Sequence, residues 1–209
     1  MADTHNVDKE GKATIAHTDI GPDQFIMIDG RYKLNDFNRA RFLLEYRHNH
    51  TICPYYVGKN PGKNRSPEEY AYGPQTEMVR RNVGYLAWFS TGCVRGVLTI
   101  VISFPLPQVD MYSYGNIVYT LLMEQYPFEE ESRKAVPKLV MEGIRPSMYA
   151  DLWNSTDPII STLREAMIMC HEGDPAKRAS ARKVSNFLKK KLEEVDPGRL
   201  TEWGETLAE

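Results

Sequence analysis

The pattern of apolar and polar positions changes character along the chain. Gln24-Phe-Ile-Met-Ile28 and Arg31-Tyr-Lys-Leu34 are short β-prone runs on either side of Asp29-Gly30. That dipeptide predicts a hairpin, because a type I′ turn needs positive φ at both central residues. Residues 43–78 carry Pro, Gly, Asn and Tyr without an apolar period and read as a long loop. From Asp110 the period becomes helical: Met111, Tyr114, Gly115, Val118, Leu121 and Leu122 share one face, and Pro127 ends the run. Thr156-Asp157-Pro158 predicts the next helix start, with Asp157 capping the free amides and Pro158 in the first helical position. Ile160, Leu163, Met167 and Cys170 then recur on one face. A last helix is predicted over 181–194, with Val184, Phe187, Leu188 and Leu192 as its stripe and Lys189–Lys191 on the solvated side. The tail over 195–209 reads as polar and loose. The whole pattern predicts a mainly helical α+β chain.

Composition narrows the class. The 209 residues are 42% hydrophobic and 26% charged, which is globular and excludes disordered or collagenous chains. A net charge of −2 offers no basic excess to neutralise phosphates, so nucleic acid is not an expected partner. Cys53, Cys93 and Cys170 are widely spaced and support neither a disulfide framework nor a Cys–His zinc pattern, so a reducing, cytoplasmic setting is expected. Residues 1–16 lack the apolar segment of a secretory signal. His48-Asn-His50 has no acidic or cysteine partners at ligand spacing and reads as a loop tripeptide.

One block stands apart. Val79–Gln108 contains no Asp, Glu, Lys or His, and its charges are Arg80, Arg81 and Arg95. Three readings compete for it. A membrane span over 83–106 has the length, but Arg95 lies near its middle and Gly84, Gly92 and Gly96 interrupt it. A surface insertion so apolar would expose a large adhesive patch. A retained intron fits the coding possibilities: valine codons begin with the splice-donor dinucleotide, and Ser103-Phe-Pro-Leu-Pro-Gln108 can be encoded by a pyrimidine-rich tract ending in CAG. The intron reading is preferred.

Two aspartates frame the hairpin. Asp19 precedes the first strand, in His17-Thr-Asp-Ile-Gly-Pro-Asp-Gln24, and Asp36 follows the second, in Asn35-Asp-Phe-Asn38. A tight hairpin brings its ends together, so Asp19, Asp36 and Gln24 are expected in one small volume, as a divalent cation and a nucleophilic hydroxyl would need. Spacing alone favours the plainer reading, that both are ordinary turn residues.

The same residues carry a family resemblance. His17-x-Asp19-Ile-x-Pro-Asp-Gln24 resembles the protein-kinase catalytic loop H-R-D-L-x-x-x-N, and Lys33-Leu-x-Asp36-Phe37 resembles the metal-binding D-F-G. Ser66-Pro67-Glu68 resembles A-P-E, and Asp110-Met-Tyr-Ser-Tyr-Gly115 resembles the opening of the central helix. Gly143-Ile-Arg-Pro146 and Cys170-His-Glu-Gly-Asp174-Pro-Ala-Lys-Arg178 resemble later landmarks of tyrosine-kinase-like members. The resemblance implies a partial protein-kinase-like domain over 15–194, the large lobe with a β-hairpin at the catalytic loop. A truncated polar segment over 1–14 precedes it. It implies Asp19 as the base that accepts a substrate hydroxyl's proton, Asp36 and Gln24 as Mg²⁺ and ATP ligands, and a protein substrate or partner protein. It also implies structural roles for the His17–Phe37 pair, for a buried Glu68–Arg178 ion pair, and for Asp110 beneath the catalytic loop.

The departures bear on function. Thr18 replaces the arginine that reads a phosphorylated activation loop, Gly21 a lysine at the transferred phosphoryl, and Asn38 the glycine after Asp-Phe. The Gly-rich loop, strand lysine and helix glutamate of the small lobe have no counterpart in the 16 residues before His17. The chain alone is therefore expected to be inactive. The alternatives are a pseudokinase-like interaction module and a membrane-anchored protein.

Overall fold

A computed structural model describes residues 5, 14–44, 47–48, 62–71, 108–202 and 204. Among these, four short strands precede the helices: β1 (Ile15–Ala16), β2 (Phe25–Ile28), β3 (Arg31–Leu34) and β4 (Arg41–Phe42). Asp29 at φ 50° and Gly30 at φ 73° both take left-handed backbone, so the β2–β3 hairpin closes in the register Ile28↔Arg31 to Phe25↔Leu34. This turn matches strand twist, which is why Asp-Gly suits it. A second antiparallel pair, Ile15↔Phe42 and Ala16↔Arg41, closes outside the hairpin. Both aspartate loops therefore lie within one segment tied at its two ends.

The helices are α1 (Pro67–Ala71), α2 (Gln108–Met123), α3 (Val136–Met141), α4 (Ala150–Trp153), α5 (Pro158–Cys170), α6 (Ala181–Val195) and α7 (Arg199–Glu202). The α5 start is built as its sequence predicts: Asp157 Oδ1 accepts from the Ile159 and Ile160 amides at 2.8 and 3.0 Å. Two expectations need correction. The long loop over 43–78 contains α1, which begins at a reciprocal capping box: Ser66 N donates to Glu69 Oε2 (2.9 Å), and Glu69 N lies 3.4 Å from Ser66 Oγ. The loose tail contains α7, where Leu200 is buried and Arg199 pairs with Asp196 and Glu202.

Helix α2 is the axis of the core. Met111 packs with Ala166, Cys170 and Val184 of α5 and α6, and Val118, Tyr119 and Met123 pack with Met167. Its stripe differs from the sequence pattern in one respect: Leu121 is 65% exposed, while Asp110, Ser113 and Asn116 on other sides are buried. Burial of these polar residues is tolerated because each has a partner. Ser113 Oγ donates to the Asn64 carbonyl at 2.7 Å, and Asn116 Oδ1 lies 3.0 Å from His171 Nε2. Gly115 lets α5 approach: a Cβ there would lie 2.8 Å from Cys170 Cβ. Among the described residues no helix is long and apolar enough to cross a membrane. Of the block 79–108 only Gln108 is described, so the readings of its nature lie outside the described residues, as do those of Cys53, Cys93 and His50.

Candidate functional site

Asp110, in the first turn of α2, organises the loop that carries Asp19. Its Oδ2 accepts from the His17 amide at 2.6 Å and its Oδ1 from the Thr18 amide at 2.8 Å. His5 Nε2 lies 3.0 Å from Oδ2 as well. Asp110 is 1% exposed, and donors to both oxygens compensate the desolvation of its charge. His17 carries the order onward. Its Nε2 sits 2.9 Å from the Asn35 carbonyl, and its ring meets Phe37 edge-on, with centroids 4.9 Å apart. The residues on both sides of Asp36 are thus held by the residue two positions before Asp19. Phe37 is itself 45% exposed.

Thr18 takes φ 60°, a costly conformation for a β-branched residue. Three polar contacts hold it. Besides its amide on Asp110, its Oγ1 donates to the Arg39 carbonyl (2.8 Å), and its carbonyl accepts from Arg65 Nη1 (2.8 Å). Asp19 is partly exposed, and Arg65 Nη2 donates to its Oδ1 at 2.5 Å while Arg39 Nε lies 3.8 Å from Oδ2. Arg65 also faces Glu69 Oε1 at 3.6 Å. Burial pushes the Glu69 carboxyl up to about 7, against the pull of Arg65 and the Ser66 hydrogen bonds. Sequence reading passed over Arg65 and Glu69. Their signal was an arginine four positions before a glutamate within a Ser-x-x-Glu cap.

Asp36 takes φ 56°, and its side chain accepts from the Asn38 amide at 3.3 Å. It is exposed. Gln24 is 9% exposed, its Nε2 lies 3.4 Å from Asp23 Oδ2, and its carbonyl accepts from the Asn35 amide at 2.8 Å. Among the described residues no three His, Cys, Asp or Glu side chains gather as a metal site. An exposed carboxylate and an amide oxygen are hard donors, the class that Mg²⁺ takes alongside water and phosphate oxygens. The donor chemistry of Asp36 and Gln24 therefore fits a phosphate-bound Mg²⁺, with most ligands supplied from outside the protein.

Below the loops, Glu68 and Arg178 form a buried bidentate ion pair, Nη1 to Oε1 at 2.5 Å and Nη2 to Oε2 at 3.0 Å. Arg178 also donates to the carbonyls of Gln108 (2.6 Å) and Glu172 (2.8 Å), so its planar fork is nearly saturated. The guanidinium carbons of Arg178 and Arg145 lie over the Tyr112 ring, 5.1 and 5.3 Å from its centroid. Burial, then the charges of Arg145 and Arg178, push the neighbouring His171 imidazole down to about 3.

Comparison with known proteins points the same way over part of the chain. Over 87 residues, 42% of the chain, it is 28% identical to the probable serine/threonine-protein kinase gdt2 of Dictyostelium discoideum, covering 5% of that protein. Similarity to part of the serine/threonine protein kinases is the finding. The RGS domain-containing serine/threonine-protein kinase A of the same organism is 28% identical over 81 residues, 39% of the chain and 7% of the relative. A light-sensor protein kinase of Ceratodon purpureus is 34% identical over 87 residues, 41% of the chain and 6% of the relative. The matched stretches thus span 5–7% of the length of these relatives. No family model matches the chain.

Proposed function

We propose that residues 15–194 are the large lobe of a protein-kinase-like fold, whose parent activity is transfer of the ATP γ-phosphoryl to a protein hydroxyl. The observation that carries this reading is the Asp110 carboxylate on the His17 and Thr18 amides, with His17 joined to Asn35 and Phe37. One buried acid beneath the loops orders both aspartates. In this reading Asp19 accepts the proton of the substrate hydroxyl, and Asp36 with Gln24 would hold Mg²⁺ against ATP. The bound nucleotide supplies the phosphoryl group, and its metal offsets the charge on the phosphates. The similarity to serine/threonine-protein kinases favours serine or threonine hydroxyls as the acceptor class.

Residues 15–194 by themselves do not turn over ATP in this proposal. Positioning is most of this catalysis, and a large lobe supplies only part of it. The replacements at Thr18, Gly21 and Gln24 favour a second reading, a non-catalytic lobe that binds a partner protein. A Mg²⁺-dependent rise in melting temperature with ADP, lost in Asp36→Ala, is the expected result. Absence of any nucleotide effect leaves the interaction module. Labelled phosphate transferred to a protein substrate, and abolished by Asp19→Asn, would overturn the inactivity of the isolated chain.

A further inference from the structure

Thr18 stands where the resembled family carries an arginine, yet a guanidinium reaches this loop from another part of the chain. Arg65, 6% exposed just before α1, donates to the Thr18 carbonyl through Nη1 and to Asp19 Oδ1 through Nη2. Glu69 stands behind it at 3.6 Å and is itself fixed by the Ser66 amide (2.9 Å) and hydroxyl (3.0 Å). We infer that Arg65, held by Glu69, is a positioning residue that latches α1 to the Asp19 loop and aims the Asp19 carboxylate with no phosphate group required. The functional meaning of the latch rests on the reading of Asp19 given above; the latch itself rests on geometry.

Three features support it. Strained backbone such as that of Thr18 persists only where its surroundings over-determine it, and Arg65 supplies the donor for the one Thr18 backbone group that Asp110 does not hold. Charge is the second. Asp19 and Glu69 face Arg65 directly, and Asp110 of α2 adds a third carboxylate whose field acts on Glu69. Arg39 lies on Asp19 and His5 on Asp110. Without Arg65, the buried Glu69 carboxyl would keep the unfavourable field of Asp110 and lose the guanidinium that offsets it. Third, the two contacts come from two nitrogens of one planar fork, a geometry that the point charge of lysine cannot reproduce.

The test uses the unphosphorylated full chain and its arginine side-chain NMR signals. With both nitrogens bound, the Arg65 Nη signals should be resolved and slow to average. Asp19→Asn should shift and broaden them and leave those of Arg178 unchanged. Glu69→Gln should do the same more weakly. Exchange of the His17 and Thr18 amides should quicken by about tenfold in Arg65→Gln and by less in Arg65→Lys, as expected for loss of a charge-assisted contact. Freely averaging Arg65 signals, indifference to Asp19→Asn, or a signature that arises only after phosphorylation would each overturn the latch. Mg²⁺ with ADP separates the two layers. The signature without nucleotide binding sinks the nucleotide reading and keeps the latch, whereas binding without the signature sinks the latch alone.

Discussion

Glu69 and His171 are two buried titratable groups with opposite effects on stability. Glu69 holds its proton up to about 7 in the folded protein against an ordinary 4.5. Between those values the folded state binds the proton that the unfolded chain has released, so this contribution is complete below 4.5 and lost as pH rises through 7. A shift of that size corresponds to about 3 kcal/mol. His171 falls from 6.5 to about 3; its contribution is complete above 6.5 and lost as pH falls through 3. Denaturant melts from pH 5 to 8 on the wild type and Glu69→Gln separate the two, because His171 is common to both. The wild type should lose stability relative to the variant by up to about 3 kcal/mol across that range. Parallel profiles would mean that Glu69 is ionised and solvated throughout. At this scale the sequence was least informative: Asp157 and the Asp29-Gly30 turn were legible because local chemistry dictates them, whereas the environment of Glu69 includes Asp110, far away in sequence.

Among the elements, long periodic segments were readable and short ones were not. The stripes of α5 and α6 show through because burying one face of a helix demands a period. Strands β1 and β4, two residues each, are too short to show alternation, and their pairing is decided by the hairpin they enclose. Helix α2 was located from its pattern, but its polar residues were not placed, since Asp110, Ser113 and Asn116 are buried through partners far away in sequence. The Glu68–Arg178 pairing, likewise, could be anticipated only through the resemblance. Close packing of α2 on α5 yields the prediction at this scale. In Gly115→Ala the new methyl would meet His171 Cδ2 at 2.6 Å and Cys170 Cβ at 2.8 Å. His171 cannot swing aside without leaving Asn116. Overpacking costs ~1–3 kcal/mol, more than the ~1 kcal/mol that alanine gains over glycine in a helix. The variant should melt several degrees lower, at ~2–4 °C per kcal/mol for a chain of this size. An unchanged or raised melting temperature would show that the helices can part at no cost.

For the molecule as a whole, the informative feature is what meets at Arg178. Its Nη1 donates both to Glu68 and to the Gln108 carbonyl, so α1 and the first residue of α2 converge on one guanidinium. A short connection from α1 to α2 therefore suffices sterically. A chain joining Met78 directly to Val109 keeps Glu68, α1 and all of α2 except Gln108. If the apolar block is retained intron, this shorter chain should be more soluble and melt no lower than the full one, and transcripts spliced at that junction should be found. Precipitation of the shorter chain, with no such transcript, would make the block part of the protein.

The grip of Asp110 on the His17 and Thr18 amides also sets a timetable. The two ends of that grip are 93 and 92 positions apart. On a ribosome adding ~5–20 residues per second, the loop waits about 5–20 s for its acid to be made. In that interval the strained Thr18 conformation has no amide acceptor to sustain it. The helices α2, α5 and α6 follow one another in sequence and can join through comparatively local contacts, which form fast. The loop segment thus waits for a part of the chain made after it, and until then it stays open to chaperones and proteases.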